Sequence, residues 1–532
     1  MTKPEAVDVE EAPNATLVEP LLPSAPPDEE EQAEAEPVVV LASDPSVEHE
    51  FPDLRVDETT WDHGEEQAPS CRNWFWALFF ISQVTAMLTL AIMATVELSK
   101  GDYSEHIHVN VTGSLLVLLT IIFSIALLSA VLILLLLSAL SDMMIQVSLV
   151  ISPISSGFAA LAALLLGQIG AALLLAVFCA LGIWYAVGVW HRIPFASANL
   201  AIAMAAIHAH RGLFTLAYAT TVLATLWSVI WILAAAQVSV VHREWIMECA
   251  EPTDPDGDYE CQWTTRGKWI AVTFLFSLYW TSQVIKNVLH TTIAGVVGTF
   301  WFSPETSSTS NGSCCAYDST IYDSWVRSAV YSFGSICLGS LLVAVLQVMQ
   351  ILVRLARQQR EDQNRDRRGG GGSILFCLLQ FLVDNLEKLM EYINSWAFVY
   401  VGLYGYEYWT AGHKVYQLFQ ARGWSVILND HLVSRSLGTM QLFIGILSGA
   451  LAVVLGLFFW GLTVNPLATF ILGIVLGMIL SSIQLQVVTS AVETIVVCFA
   501  EAPSALLENH PPELSGRMIR AWRAAYPDEC GF

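Results

Sequence analysis

The chain has 532 residues, of which 55% are hydrophobic and only 14% are charged. This balance is typical of proteins that cross a membrane several times, and it excludes an ordinary water-soluble globular domain. The formal net charge of -24 disfavours nucleic acid as a partner.

The acidic charge is concentrated at the N-terminus. Residues 1–70 carry 20 acidic and two basic side chains and show no sustained hydrophobic periodicity. Such a segment cannot bury enough apolar surface to offset the entropy lost on ordering, so we predict a disordered cytoplasmic tail. It is either a solvated arm or a segment for trafficking or partner binding. We expect no cleavable signal peptide, because a basic start followed by an early apolar run is missing.

Ten apolar stretches are long enough to cross a bilayer, which takes about 20 residues. These predicted spans are residues 74–98, 113–140, 143–164, 167–190, 213–240, 269–300, 328–356, 395–418, 437–462 and 466–490. The sequence therefore predicts an all-α, polytopic membrane helix bundle over residues 71–500 and a C-terminal cytoplasmic tail over residues 501–532. An even number of spans places both termini on one side of the membrane, which we expect to be the cytoplasm.

Two further helices are predicted at the membrane surface. One is a short cytoplasmic helix near residues 193–211. The other is an amphipathic, interfacial helix near residues 374–393, where Leu and Ile recur every three or four residues beside charged ones. Before it, residues 354–368 contain six arginines. Their charge favours the cytoplasm, whereas ten spans put this loop outside, so the sequence leaves its side open.

Two covalent features are predicted on the outer side. Asn110 begins an Asn-Val-Thr sequence, which predicts glycosylation. Cys249 and Cys261 flank an acidic loop, and either a disulfide or two unrelated thiols fit the sequence. No His and Cys spacing predicts a metal site, and no phosphate loop or catalytic motif predicts a cofactor or an enzyme.

The predicted sixth span carries a polar stripe that cannot face lipid. An ionisable group at bilayer depth costs at least about 2.5 kcal/mol, so such groups usually face a bundle interior or a water-filled cavity. We therefore predict that this stripe lines a substrate path. The residues assigned to the path on this span are Tyr279, Trp280, Gln283, Lys286, Asn287 and His290.

The predicted eighth span supplies a second group. Four residues at helical spacing share one face, namely Tyr400, Tyr404, Glu407 and Tyr408. Aromatic faces attract cations, by about 2 kcal/mol or more when a quaternary ammonium is desolvated. Glu407 among these rings is therefore predicted to hold an organic cation or to relay a proton. Alternatively, the rings form an interfacial belt and Glu407 pairs with Lys286.

Three sequence blocks resemble the choline transporter-like family, and most closely its fungal-type branch, the pH-nine-sensitive proteins. They are residues 279–302, which begin YWTSQVIKNVLHTTIAG, residues 332–344 (SFGSICLGSLLVA) and residues 493–501 (ETIVVCFAE). The resemblance implies ten membrane helices, cytoplasmic termini and transport of choline or a related amine. It also implies a plasma-membrane location, with the vacuole or another endomembrane as the alternative. Coupling to protons would use Glu407, His290 or Glu493.

One departure from the family bears on the substrate. Lys286 would repel a quaternary ammonium by roughly 3 kcal/mol at about 6 Å and an effective dielectric constant near 20, unless Glu407 or Glu493 neutralises it. Besides membrane lipids, the expected partner is a small organic cation. Two other functions fit the sequence: a passive channel or lipid-moving protein that uses the same cavity, and a non-transporting scaffold that works through its acidic tail.

Overall fold

The fold comes from a computed structural model, which describes residues 64–99, 141–241, 243–250, 260–303, 319–364, 371–421, 432–460 and 466–526. Asn110, the predicted second span and most of the predicted acidic tail lie outside these residues. Within the described ranges the chain is an all-α membrane bundle with one small β-hairpin.

The helices of the described ranges are numbered in chain order. They are α1 (Trp74–Ser99), α2 (Ser141–Leu165), α3 (Ile169–Val189), α4 (Ile193–Ala209), α5 (Gly212–Val241), α6 (Arg243–Ile246), α7 (Thr265–Phe302), α8 (Ser319–Val326), α9 (Phe333–Asn364), α10 (Gly371–Tyr404), α11 (Tyr408–Ala421), α12 (Leu432–Trp460), α13 (Pro466–Glu501), α14 (Pro503–Asn509) and α15 (Pro512–Ala525). A turn of π-helix (Arg327–Tyr331) precedes α9. Strands β1 (Met247–Ala250) and β2 (Glu260–Trp263) pair antiparallel between α6 and α7.

Seven helical stretches in the described part of the chain are long and apolar enough to cross a bilayer. They are Trp74–Met93, Met143–Leu165, Ile169–Ala209, Gly212–Ala235, Phe333–Gln358, Leu432–Phe458 and Pro466–Glu501. Two further long helices, α7 with 38 residues and α10 with 34, carry more polar residues. The prediction of a polytopic helix bundle is confirmed. The predicted number of ten membrane spans is approximate.

The predicted eighth span, residues 395–418, is wrong. The helix ends at Tyr404, the chain unwinds through residues 405–407, and α11 begins a new helix at Tyr408. Gly405 has a φ of 75°, a left-handed conformation that commonly ends helices and that glycine adopts without strain. Helix α11 then folds back against α10, where the rings of Trp396 and Phe419 lie 5.2 Å apart.

The predicted interfacial helix is not a separate element, because residues 374–393 form the first part of the continuous helix α10. Its apolar side chains are exposed, among them Leu378, Leu382 and Leu386, whereas Asp384 faces α9. The Gln350 amide donates to the Asp384 carboxylate at 2.5 Å. The amphipathic pattern therefore separates a lipid-facing side from a bundle-facing side.

Two segments expected at the surface are packed into the protein. Helix α4, predicted as a surface helix, has 12 of its 17 residues buried. The predicted C-terminal tail instead forms α14 and α15. The rings of Trp522 and Tyr526 lie 5.8 and 5.7 Å from the ring of Phe195 on α4. Burying these large aromatic rings against α4 removes them from water, which is why the segment folds back.

The C-terminal end of α9, which carries Arg354 and Arg357, lies far from Asn73. Helix α9 begins beside Asn73, whose amide donates to Ser335 at 3.0 Å. It then runs for 32 residues, or about 48 Å at 1.5 Å per residue, which is more than a bilayer core. Asn73 and the described arginines Arg354 and Arg357 therefore lie toward opposite ends of the bundle. Arg354 reaches Asp384 at 3.8 Å, which partly offsets the positive charge.

Candidate functional site

A cavity of about 670 Å³ lies inside the bundle, between α7, α9, α10, α12 and α13. Its size falls in the range of small-molecule sites. The lining residues are Gln283, Lys286, Asn287, His290, Val343, Lys388, Leu389, Asn394, Ser395, Ser434, Gln486, Thr489 and Glu493. Eleven of these 13 residues are polar or charged, so the cavity offers hydrogen-bonding groups to a small solute.

Helices α7, α10 and α13 run in the same direction past this cavity, and small residues let them approach closely. A Cβ atom added to Gly402 on α10 would lie 2.5 Å from the backbone oxygen of Thr291 on α7, a distance that real Cβ atoms do not reach. Close backbone approach through small residues is a common way for helices to associate in lipid. It brings His290 on α7 level with Ser395 on α10.

His290 is the centre of a buried hydrogen-bond network. Its Nε2 lies 3.0 Å from the backbone oxygen of Ser395, and a carbonyl only accepts, so Nε2 carries a proton. Its Nδ1 lies 2.7 Å from the hydroxyl of Ser490, and Gln486 donates to the same hydroxyl at 3.1 Å. In the neutral ring, Nδ1 accepts from Ser490. A second proton would therefore be added at Nδ1.

Glu493 also lies close to Nδ1 of His290. Its carboxylate is 3.8 Å from His290 Nδ1, and it accepts a hydrogen bond from the Ser395 hydroxyl at 2.5 Å. The glutamate is 19% exposed, whereas the histidine is 2% exposed. Glu493 therefore presents a negative charge to the cavity, and His290 is the group behind it that can take up a proton. A proton on His290 would attract the carboxylate.

Two asparagines add amide dipoles to the cavity. Asn394 is 3% exposed, and its side-chain oxygen accepts no hydrogen bond from the described residues. Asn287 donates to Ser340 at 2.9 Å, which fixes the orientation of its amide. The Asn394 oxygen is buried against Gly339 on α9.

Two lysines bring positive charge to the same lining. Lys286 lies one helical turn before His290, and Lys388 lies on the more exposed part of α10. Among the lining residues whose side chains the structure describes, Glu493 is the one carboxylate. Its negative charge favours a cation in this cavity.

The cavity is sealed toward the C-terminal ends of the three helices. Beyond the cavity residues, every position from 291 to 298, from 397 to 403 and from 494 to 501 is buried. These stretches form a continuous packed layer, which we call the sealing layer. Tyr400 on α10 is part of it, with its ring 5.3 Å from that of Tyr404. The cavity is therefore closed on one side.

About half of the residues predicted from the sequence line this cavity. They are Gln283, Lys286, Asn287, His290 and Glu493. Tyr279 and Trp280 belong to a different part of the bundle. Trp280 is fully buried, donates to the backbone oxygen of Cys337 at 3.0 Å and packs against Phe80. It therefore holds α7 against α1 and α9.

The predicted aromatic group is divided by the helix break. Tyr400 is buried in the sealing layer, and Tyr404 lies at the end of α10. Tyr408 starts α11, where its ring packs 5.8 Å from that of Phe398. These three rings therefore do not form a cage around the cavity.

Glu407 is also separated from the cavity. It is exposed in the unwound segment and does not line the cavity with Lys286. The predicted shared face fails because Gly405 ends the helix before Glu407.

Sequence reasoning misses several residues that line the cavity or support its network. They are Lys388, Asn394, Ser395, Ser434, Gln486, Thr489 and Ser490. On α13 a signal is present: positions 486, 489, 490 and 493 are polar and lie on one face of an otherwise apolar helix. Among the residues described, no group of three or more His, Cys, Asp or Glu side chains comes together to hold a metal ion.

The comparisons with known proteins agree with this architecture. A family model described as plasma-membrane choline transporter matches residues 173–504, more than half of the chain. Protein PNS1 of Mycosarcoma maydis is 25% identical over 475 residues, which cover 85% of this chain and 83% of that protein. Protein PNS1 of Gibberella zeae is 32% identical over 256 residues, or 46% and 44% of the two chains.

A CTL-like protein of Dictyostelium discoideum is 26% identical over 324 residues, which cover 60% of this chain and 51% of that one. The matched regions thus span less than two thirds of the Gibberella and Dictyostelium relatives. A bundle of long apolar helices around a cavity that is closed at one end is the architecture of an integral membrane protein. The chain belongs to the choline transporter-like family, and its relatives include fungal PNS1 proteins.

Proposed function

We propose that this protein is a secondary transporter that carries choline or a related small amine through the central cavity. The observation that supports this most is the position of Glu493. It is the one carboxylate among the described side chains that line the cavity, and the sealing layer begins at the next residue of α13. An organic cation there would gain the attraction of Glu493 and the dipole of the Ser395 hydroxyl.

The cavity lining departs from an aromatic cage for quaternary ammonium groups. The described side chains that line it include no Phe, Tyr or Trp, and Lys286 opposes a cation. Glu493 takes the neutralising role, since Glu407 lies elsewhere. A site of carboxylate, amide and hydroxyl groups does not require three methyl groups on the substrate nitrogen. We therefore expect primary amines such as ethanolamine to compete with choline.

Proton coupling would arise because a proton and the substrate compete for the same carboxylate. When His290 is neutral, Glu493 is available to a cation. When Nδ1 of His290 is protonated, the imidazolium lies 3.8 Å from the carboxylate and pairs with it. Protonation would thus release the substrate, and deprotonation would allow it to bind. This arrangement favours exchange of a proton for an organic cation.

The sealing layer supports alternating access over a passive pore. Three buried stretches, one on each of α7, α10 and α13, separate the cavity from the helix ends. Moving a solute past them requires the helices to separate, which a continuously open channel would not need. A passive channel or lipid-moving protein is the alternative, and it predicts flux that does not saturate.

The experiment is uptake into vesicles that contain the purified protein. Radiolabelled choline and ethanolamine are compared with an organic anion of similar size, in the presence and absence of a pH gradient. Saturable uptake of the amines, stimulated by the gradient and absent from protein-free vesicles, is the expected result. Flux that rises linearly with concentration, or no flux of any amine, would overturn the proposal.

We further propose that residues 71–500 form the transport domain, with the N-terminal segment 1–70 in the cytoplasm and the protein in the plasma membrane. On this topology the β-hairpin is outside. Its register places Cys249 directly opposite Cys261, and opposed residues of an antiparallel pair have Cα separations of about 4.5 to 5.5 Å, within the range of disulfides. We expect a disulfide there and a glycan on Asn110.

A further inference from the structure

Residues 64–73, which we call the N-terminal strap, lie across the sealed end of the bundle just before α1. The strap has no regular helix or strand. The backbone N–H of Gly64 donates to the carboxylate of Glu501 at 2.8 Å, and the N–H of Gln67 donates to the backbone oxygen of Tyr404 at 2.8 Å. Glu501 and Tyr404 are the last residues of α13 and α10, so the strap joins two helix ends.

Side chains add to this connection. The N–H of Glu65 donates to the hydroxyl of Tyr406 at 3.0 Å. Arg327 pairs with Glu66 at 2.6 Å and also donates to the backbone oxygen of Leu403 at 2.8 Å. The guanidinium group thereby links the strap to the same helix end that the strap's backbone contacts. Arg327 belongs to the π-turn before α9, so a third element is included.

The strap packs closely against Tyr404 at the end of α10, and this contact surface is called its seat. A Cβ atom on Gly64 would overlap the ring of Tyr404, so any larger residue would displace either the ring or the strap. Residues 64–67 are therefore the part of the strap that bridges α10 and α13.

The other end of the strap is fixed to α9. The N–H of Arg72 donates to the backbone oxygen of Tyr331 at 3.0 Å, and the Asn73 amide donates to Ser335. Residues 71–73 are thus held in place, and the bridging residues 64–67 could move relative to them.

The bridged helix ends are also the ends of the sealing layer. For solute to leave on this side, the buried stretches 397–403 and 494–501 must separate, and the strap is hydrogen-bonded to a residue at the end of each. We propose that the strap is a latch that holds this end of the transport path closed and must leave its seat in every transport cycle. This inference rests on the proposed transport function.

A disulfide can test whether the strap must move. A Cβ atom on Gly405 would lie 3.9 Å from the Cβ of Gln67, inside the range of about 3.5 to 4.5 Å that disulfides require. In a Cys71→Ser background, which removes a neighbouring exposed thiol, the pair Gln67→Cys and Gly405→Cys is oxidised in vesicles. Mass spectrometry of the linked peptides measures the extent of cross-linking.

The cross-linked protein should lose uptake, and a reductant should restore it. The two single-cysteine variants, treated identically, control for the strain of a side chain at Gly405 and for oxidation itself. Full uptake by protein that is verified as cross-linked would overturn the latch. Absence of uptake from the Cys71→Ser parent would instead count against the proposed transport function, so the two failures are distinct.

A second test unseats the strap and does not depend on uptake. Gly64→Leu would place a side chain into the ring of Tyr404, while Ala68→Leu adds the same side chain at an exposed strap position. Each is combined with Gly405→Cys and Cys71→Ser, and the detergent-purified protein is labelled with a maleimide. The latch predicts faster labelling at position 405 with Gly64→Leu than with Ala68→Leu. Equal labelling rates would show that the strap does not cover this end.

Discussion

Replacing Glu493 by Gln tests the substrate site most directly. The substitution keeps the size of the side chain, and the amide oxygen can still accept from the Ser395 hydroxyl, so the bundle should fold. It removes the one negative charge among the described lining side chains, which also include two lysines. An organic cation in the cavity would then lose the attraction of this carboxylate.

The size of the effect follows from Coulomb's law. Opposite unit charges about 4 Å apart at an effective dielectric constant near 20 attract by about 4 kcal/mol. Glu493 is 19% exposed and the cavity is polar, so we take about half of that value. A loss of about 2 kcal/mol corresponds to roughly a thirtyfold weaker affinity for the cation.

The assay is concentration-dependent uptake of choline and ethanolamine in reconstituted vesicles at several pH values. Wild-type uptake should fall as the cavity side is acidified, because protonated His290 then pairs with Glu493. Glu493→Gln should raise KM roughly thirtyfold and flatten this pH dependence. Glu508→Gln makes the same change at an exposed position on α14 and should match the wild type. An unchanged KM in a well-folded Glu493→Gln protein would refute cation binding at this carboxylate.

Three further predictions concern the helix break, the helix contact and the hairpin. Glu407→Gln should leave KM and the pH profile of uptake unchanged, because Glu407 is exposed outside the cavity; an altered pH profile would return it to the mechanism. Gly402→Ala should destabilise the protein by about 1 to 3 kcal/mol through overpacking, which would lower the Tm in detergent. Gly412→Ala is the control, because a Cβ atom there makes only ordinary contacts. Equal Tm values for the two variants would contradict the close packing. Cys249→Ser should leave one new reactive thiol, at Cys261, detected by maleimide labelling of the unreduced protein; labelling of both cysteines in the wild type would exclude the disulfide.

Hydrophobic patterning is sufficient to predict the class of fold. Long apolar runs such as Trp74–Met93 and Pro466–Glu501 have few alternatives to crossing a bilayer, because a lipid environment leaves only helices and closed barrels. The polar stripe on α7 also correctly predicts an inward-facing surface. Lys286, Asn287 and His290 all line the cavity, since the cost of exposing such groups to lipid applies in any arrangement of the helices.

The wrong predictions for the eighth span and the surface helix have structural causes that a hydropathy profile does not detect. A single residue, Gly405, ends α10 in a left-handed conformation, and the helical spacing that joins Tyr400 to Glu407 no longer applies beyond it. The basic and histidine residues around α4 predict a surface position for this helix. Its small and apolar middle instead packs under Trp522 and Tyr526, which lie more than 300 residues later in the chain.

The sequence by itself determined that this protein is an integral membrane helix bundle, which family it belongs to, and that α7 turns a polar face inward. Each of these follows from the composition and order of residues within one segment. The partner of His290 was decided only by the tertiary structure. Glu493 is about 200 positions away in the chain, and it meets His290 because α13 packs beside α7 with its polar face toward the cavity. Packing between helices is a property of their relative rotation and depth, and no periodicity within a single helix specifies either.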